Sequence, residues 1–101
     1  MRPVEIAVRF GNNLVRARKR AGLSQEEVGF RASLHRTEIG MLERGTRLPR
    51  IDTLVKVAAA VGVEPSELLE GLDWTAPAMP TTGSFSVRDD PEPDEPDPNL
   101  N

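Results

Sequence analysis

The side chains able to do chemistry in this chain cluster between Leu34 and Arg50. His35, Arg36, Thr37, Met41, Arg44, Thr46, Arg47 and Arg50 are interleaved with the apolar residues Ile39 and Leu42. Cationic and hydroxyl donors spread over one short helix and the loop after it suit hydrogen bonding to fixed acceptors such as phosphate oxygens and base edges. They do not suit catalysis. The chain pairs no nucleophile with a neighbouring base and has no glycine loop that cradles phosphate, so an enzymatic role has no footing. With no cysteine and one histidine, disulfides, thiolate metal sites and histidine metal clusters are excluded, and no cofactor is expected.

Such a face works only if local elements hold it in place, and the flanking sequence supplies them. Phe10, Leu14, Ala17 and Ala21 recur at spacings of four, three and four, which lines one face of a helix from about Val4 to Ala21. Arg16, Lys19 and Arg20 fall on the opposite face. Gly22 follows, a residue that ends helices because positive φ costs it nothing.

Ser24 is a good N-cap for a second helix, Glu27 three positions on completes a capping box, and Leu23 with Val28 occupies the positions of a hydrophobic staple. That helix runs to about Ala32. A third begins near His35, with Leu34 and Ile39 repeating the staple and Ile39 and Leu42 facing inward. Gly45 ends it. Pro49 cannot continue a helix and biases Leu48 away from helical angles, so residues 45 to 50 form a loop.

Ile51, Leu54, Val57, Ala58 and Val61 make an amphipathic stripe closed by Gly62. Pro65 then suits a first helical position, with Glu64 as a mediocre cap and Val63 stapled onto Leu68. Leu68, Leu69 and Leu72 are expected to form the buried face of this last helix.

At 101 residues and 38% hydrophobic side chains, the chain can bury one modest core. No apolar run approaches the roughly 18 residues of a membrane span, and the amino terminus lacks the apolar centre of a signal peptide, so a soluble cytoplasmic protein is expected. The net charge of -3 hides a segregation. Residues 1 to 75 hold 12 Lys+Arg against 10 Asp+Glu, a balance of +2, whereas residues 76 to 101 hold Arg88 against six acids, a balance of -5. The second segment, rich in Pro, Thr, Ser, Asp and Glu, cannot bury enough apolar surface to offset its ordering entropy of about 1–2 kcal/mol per residue, and it is expected to be a disordered acidic tail.

The chain resembles the Cro/C1-type helix-turn-helix family, also called the XRE family. The resemblance rests on Phe10-Gly11, Arg18, the run Gly22-Leu23-Ser24-Gln25-Glu26-Glu27-Val28, Ile39, Glu43-Arg44-Gly45, Pro49, Thr53-Leu54, Val57-Ala58, Val61-Gly62-Val63 and Glu67-Leu68. It covers residues 8 to 72 and implies an all-α, five-helix fold like that of lambda repressor over residues 1–75, with residues 76–101 appended as the tail.

What the resemblance implies can be placed residue by residue. The helix of residues 35–44 would enter the major groove of double-stranded DNA, with Arg36, Thr37, Gly40 and Met41 facing base edges. Arg36 suits guanine, and Met41 with the Thr37 methyl suits a thymine methyl. Gln25, His35, Arg44, Thr46, Arg47 and Arg50 would bind phosphate. Arg18 and Glu43 would pair inside the domain.

Three departures from the family pattern stand out. His35 occupies a position usually held by a small hydroxyl residue, and histidine is a poor cap. Gly29 stands where alanine is usual at a tight helix crossing, and Gly40 removes a polar side chain from the reading face. The function implied is a sequence-specific transcriptional regulator, repressor or activator, acting as a homodimer with Leu69, Leu72 and Trp74 as the candidate interface. The alternative is an antitoxin or adaptor whose acidic tail engages a partner protein.

Overall fold

The computed structural model describes residues 3–78 and 83–89, and the acidic run from residue 90 lies outside them. The elements in order are α1 (Pro3–Arg20), α2 (Gln25–Ala32), α3 (Arg36–Glu43), α4 (Ile51–Val61), α5 (Pro65–Leu68), β1 (Leu72–Thr75) and β2 (Ser84–Val87). Five helices enclose one core, with α2 packed against both α3 and α4, and α1 against α3 and α5. Phe10, Leu14, Val28, Ile39, Leu42, Val57 and Leu68 are its largest fully buried side chains. The all-α expectation holds for the body of the chain.

Local signals set most boundaries. The Ser24 hydroxyl accepts from the Glu27 N–H at 3.0 Å, and the Glu27 carboxylate accepts from the Ser24 N–H at 3.1 Å, so both halves of the capping box are made. Gly22 and Gly62 follow α1 and α4 as expected. The inner stripes differ at their ends. Ala21, one residue past the last turn of α1, is exposed. Ile51 is 81% exposed, because it is the first residue of α4 and projects beyond the contact of that helix with α2.

The end of the chain departs most from expectation. Helix α5 spans four residues, so Leu68 is buried whereas Leu69 is largely exposed. The cause lies on α1. The Asn13 side-chain amide donates to the carbonyls of Leu68 and Glu70, each at 2.9 Å. Arg9 donates from Nε to the Glu70 carbonyl at 3.0 Å. Carbonyls captured in this way no longer need a further helical turn.

Gly71, at φ 89°, then redirects the chain, and the space a Cβ would occupy there is filled by the Arg9 guanidinium. Leu72 and Trp74 therefore belong to a strand, not to the last helix.

Strand β1 pairs antiparallel with β2, in the register Leu72 to Val87, Asp73 to Ser86, Trp74 to Phe85 and Thr75 to Ser84. The Trp74 and Phe85 rings meet edge to face at 5.0 Å, a favoured aromatic geometry. The Arg88 N–H donates to the Gly71 carbonyl at 2.8 Å, and Arg9 Nη1 donates to the Arg88 carbonyl at 2.7 Å. The segment read as disordered from residue 76 thus contains a strand at Ser84–Val87, tied back to α1 by a buried arginine.

Candidate nucleic-acid interface

Helix α3 is eight residues long and too short to persist alone in water, so its neighbours must hold it. Ile39 and Leu42 are fully buried beneath it. Glu43 completes the anchor: Arg18 of α1 donates to its carboxylate from Nε at 2.5 Å and from Nη2 at 3.1 Å. Arg18 Nη1 also donates to the Leu23 carbonyl at 3.0 Å. The structural pairing implied by the family resemblance is present in the fold.

Gln25 enters the same network, its side-chain amide donating to Glu43 Oε1 at 2.9 Å. One amide hydrogen of this phosphate-binding candidate is therefore committed inside the domain.

The turn between α2 and α3 is set by close backbone approach. Ser33 caps α2 in the left-handed region at φ 57°, and the Leu34 N–H donates to the Gly29 carbonyl at 2.8 Å. A Cβ on Gly29 would lie 2.6 Å from the Leu34 carbonyl oxygen, so the alanine usual in the family does not fit this backbone.

His35 begins α3 and does cap it. Its Nδ1 accepts from the Thr37 N–H at 3.0 Å, the role a serine or threonine hydroxyl fills elsewhere. A neutral imidazole that accepts at Nδ1 carries its proton on Nε2, which is left as an N–H donor. The reading of His35 as a poor cap is corrected.

Along the exposed side of α3, Arg36, Gly40 and Arg44 succeed one another at intervals of four residues and so share a stripe. Arg36 and Thr37 are exposed and Met41 is half-buried. Gly40, although on this outer stripe, is buried. The three atoms nearest the position of a Cβ there all belong to the Arg44 guanidinium, Nη1 at 2.9 Å. The Arg44 side chain folds back along the helix and lies over Gly40.

Among the described residues, no hydrogen bond or ion pair engages the guanidinium of Arg36 or of Arg44.

The remaining candidates are partly engaged. The Thr46 hydroxyl donates to the Met41 carbonyl at 3.1 Å and closes the end of α3. Arg47 lies 3.9 Å from the Glu38 carboxylate, and Arg50 lies 3.5 Å from Asp52 with both side chains exposed. Glu38 was not singled out from sequence, yet its charge sits on the outward helix and is offset by Arg47. Arg9 and Asn13, which hold the carboxyl-terminal elements, also gave no local signal.

At the start of α2, the Ser24 N–H and then its hydroxyl hold the Glu27 carboxyl below the usual glutamate range, and Arg31 adds to this. Among the described residues, no group of three or more His, Asp or Glu side chains is placed to hold a metal, and no helix is long and apolar enough to cross a membrane.

Residues 14–68 match the Helix-turn-helix family model HTH_3. The chain is 39% identical over 66 residues to control protein C.BamHI of Bacillus amyloliquefaciens, a match that spans 64% of this chain and 82% of that one. It is 36% identical over 70 residues to control protein C.MunI of a Mycoplasma species, spanning 68% and 95% of the two chains. Its fold is similar to the crystal structure of the restriction-modification controller protein C.AhdI from Aeromonas hydrophila, with a TM-score of 0.60 and 40% identity over 61% of this chain and 94% of that one.

These matches span most of the length of the relatives and take in α2, the turn after it and α3. The chain belongs to the helix-turn-helix family HTH_3, the Cro/C1-type class of DNA-binding transcriptional regulators.

Proposed function

We propose that this regulator sets α3 in the major groove and reads base edges with Arg36, Thr37 and Met41. The observation that carries this reading is the Arg36 guanidinium, without a partner among the described residues, on the exposed first turn of a helix whose other side is fixed by Ile39, Leu42 and the Arg18–Glu43 pair. A free planar donor on a rigid support can present two hydrogen bonds to guanine O6 and N7, a contact worth about 1–3 kcal/mol of discrimination.

Arg47 and Arg50 neutralise phosphates, and His35 Nε2–H and Gln25 donate hydrogen bonds to them, fixing register without reading sequence. The Thr46 hydroxyl, spent on the Met41 carbonyl, contributes by shaping the loop.

One short helix offers few base contacts, and a homodimer on a two-fold operator doubles them, with half-sites about 34 Å apart. Leu72 is half-buried in the hairpin register with Val87, so of the interface residues inferred from sequence only Leu69 and Trp74 are exposed.

The names of the relatives support a proposal for the regulated genes. C.BamHI, C.MunI and C.AhdI carry the names of control or restriction-modification controller proteins, and control of a restriction–modification operon is the role proposed for this chain.

Selection of bound duplexes from a random pool, followed by gel shift on the selected site, tests the reading. Arg36→Ala is expected to erase the preference for the selected site, while Arg47→Ala weakens binding to every duplex by a similar factor. Equal effects of both substitutions on all duplexes would reject the proposed division of roles. A mass of one protomer in the saturated complex would reject the dimer.

A further inference from the structure

Gly40 and Arg44, taken separately, look like a missing contact and a phosphate-binding residue. Their geometry joins them. The Cβ position of Gly40 is taken by the Arg44 guanidinium, whose Nη1, Cζ and Nη2 lie 2.9, 3.7 and 3.8 Å from it.

The glycine therefore opens a notch in the outer stripe of α3, and the arginine one turn later fills it with a planar group carrying hydrogen-bond donors. Side chains on a helix lean toward its amino terminus, so residue 44 covers the surface of the preceding turn. Among the described residues, no hydrogen bond or ion pair draws the guanidinium elsewhere.

We propose that Arg44 is a second base-reading residue, held over Gly40 and directed at guanine O6 and N7, and that Gly40 is its positioning residue. This rests on the placement of α3 in the major groove. Arginine at a helix end ordinarily serves phosphate, but here the guanidinium lies in the middle of the reading stripe, where a side chain at residue 40 would project. The bidentate fork of arginine, which lysine lacks, gives the contact its base selectivity.

Three variants test the proposal on a duplex selected with the native protein and on the same duplex substituted at each base pair in turn. Arg44→Ala is expected to flatten the preference at one guanine-containing pair per half-site, by about 5- to 150-fold, and to leave preferences elsewhere in place. Arg44→Lys, which keeps the charge, is expected to lose the same preference while retaining affinity for unrelated DNA.

Gly40→Ala is expected to fold as well as the native protein, since the new Cβ meets only the far end of a flexible side chain, and to lose the preference because the guanidinium is displaced. Loss of affinity by one uniform factor in Arg44→Ala, full retention of the profile in Arg44→Lys, or a native profile in Gly40→Ala would each overturn the proposal. Absence of any sequence preference in the native protein, together with no effect of Arg36→Ala, would instead remove the DNA-reading assignment on which it rests. If Gly40→Ala proved unstable by thermal melting, the two Arg44 variants decide.

Discussion

Replacing Glu43 with alanine should expose how the reading helix is held. The Glu43 side chain is 5% exposed and that of Arg18 is 14% exposed, so the pair lies mostly out of water and solvent screening is weak. The carboxylate accepts two hydrogen bonds from Arg18 and one from Gln25.

Removing one member of a buried pair costs about 3–5 kcal/mol because the other is left uncompensated. Arg18 keeps its bond to the Leu23 carbonyl and some contact with water, which puts the loss near the lower end, at about 3 kcal/mol. For a domain of this size each kcal/mol corresponds to a fall of about 4–8 °C in melting temperature, so the variant should melt about 12–24 °C below the native protein.

A double-mutant cycle with Arg18→Met and Glu43→Leu separates the pair from its surroundings. The double variant should recover much of the loss, since an apolar pair of similar volume avoids the buried charge. Thermal unfolding followed by circular dichroism measures all four corners. A Glu43→Ala protein melting within a few degrees of native, or single losses that add in the double variant, would show that the pair does not anchor α3.

Gly29→Ala should destabilise by about 1–3 kcal/mol although alanine is the better helix former, because its Cβ would lie 2.6 Å from the Leu34 carbonyl oxygen and backbone must move; denaturant titration reads the change. His35→Ala should cost about 1 kcal/mol through loss of the cap to the Thr37 N–H, and His35→Ser should restore it. The same melts compare the two His35 variants. Glu27, whose carboxyl is held below the usual range by the Ser24 N–H and hydroxyl, contributes stability that is present above the ordinary glutamate range and is lost as pH falls through the lowered folded value. Glu27→Gln should therefore flatten the acid limb of the melting-temperature curve relative to the native protein, and parallel limbs would count against that source.

Legibility in the sequence followed the range of the interaction. The capping box at Ser24 and Glu27, the stops at Gly22 and Gly62 and the inward faces of Phe10, Leu14, Ile39 and Leu42 rest on residues a few positions apart, and all were readable. Helix α5 was not, because Leu68, Leu69 and Leu72 repeat at helical spacing while the groups that end the helix, Arg9 and Asn13, lie more than fifty residues away. Strand β2 carried a weak sign in Ser84-Phe85-Ser86-Val87, an alternation with period two, masked by the proline-rich acidic composition around it. At the interface, residue types pointed to Arg36 directly. Gly40 read as a deficit because nothing in a string of letters shows that a guanidinium four residues later fills the space.

Three glycines around α3 then differ in what their absent side chains make room for, and this separates folding from reading. A Cβ on Gly11 would meet the Leu42 and Glu43 carbonyl oxygens at 2.5 and 2.6 Å, and one on Gly29 would meet the Leu34 carbonyl oxygen. Both glycines admit backbone, which cannot yield without shifting the helix. At Gly40 the nearest atoms to a Cβ belong to the end of a flexible side chain, that of Arg44.

Substitution at Gly11 or Gly29 should therefore lower stability and DNA binding together, since binding requires α3 in place. Substitution at Gly40 meets the Arg44 side chain rather than backbone and, on the proposed reading, should alter which donors face the groove. The core side of α3 is thus fixed by backbone contact, two buried aliphatic residues and one ion pair, while its outer side is fixed by a single arginine resting on a glycine. On the proposed reading, substitutions at Gly40 and Arg44 should change specificity while leaving in place the contacts that hold the helix.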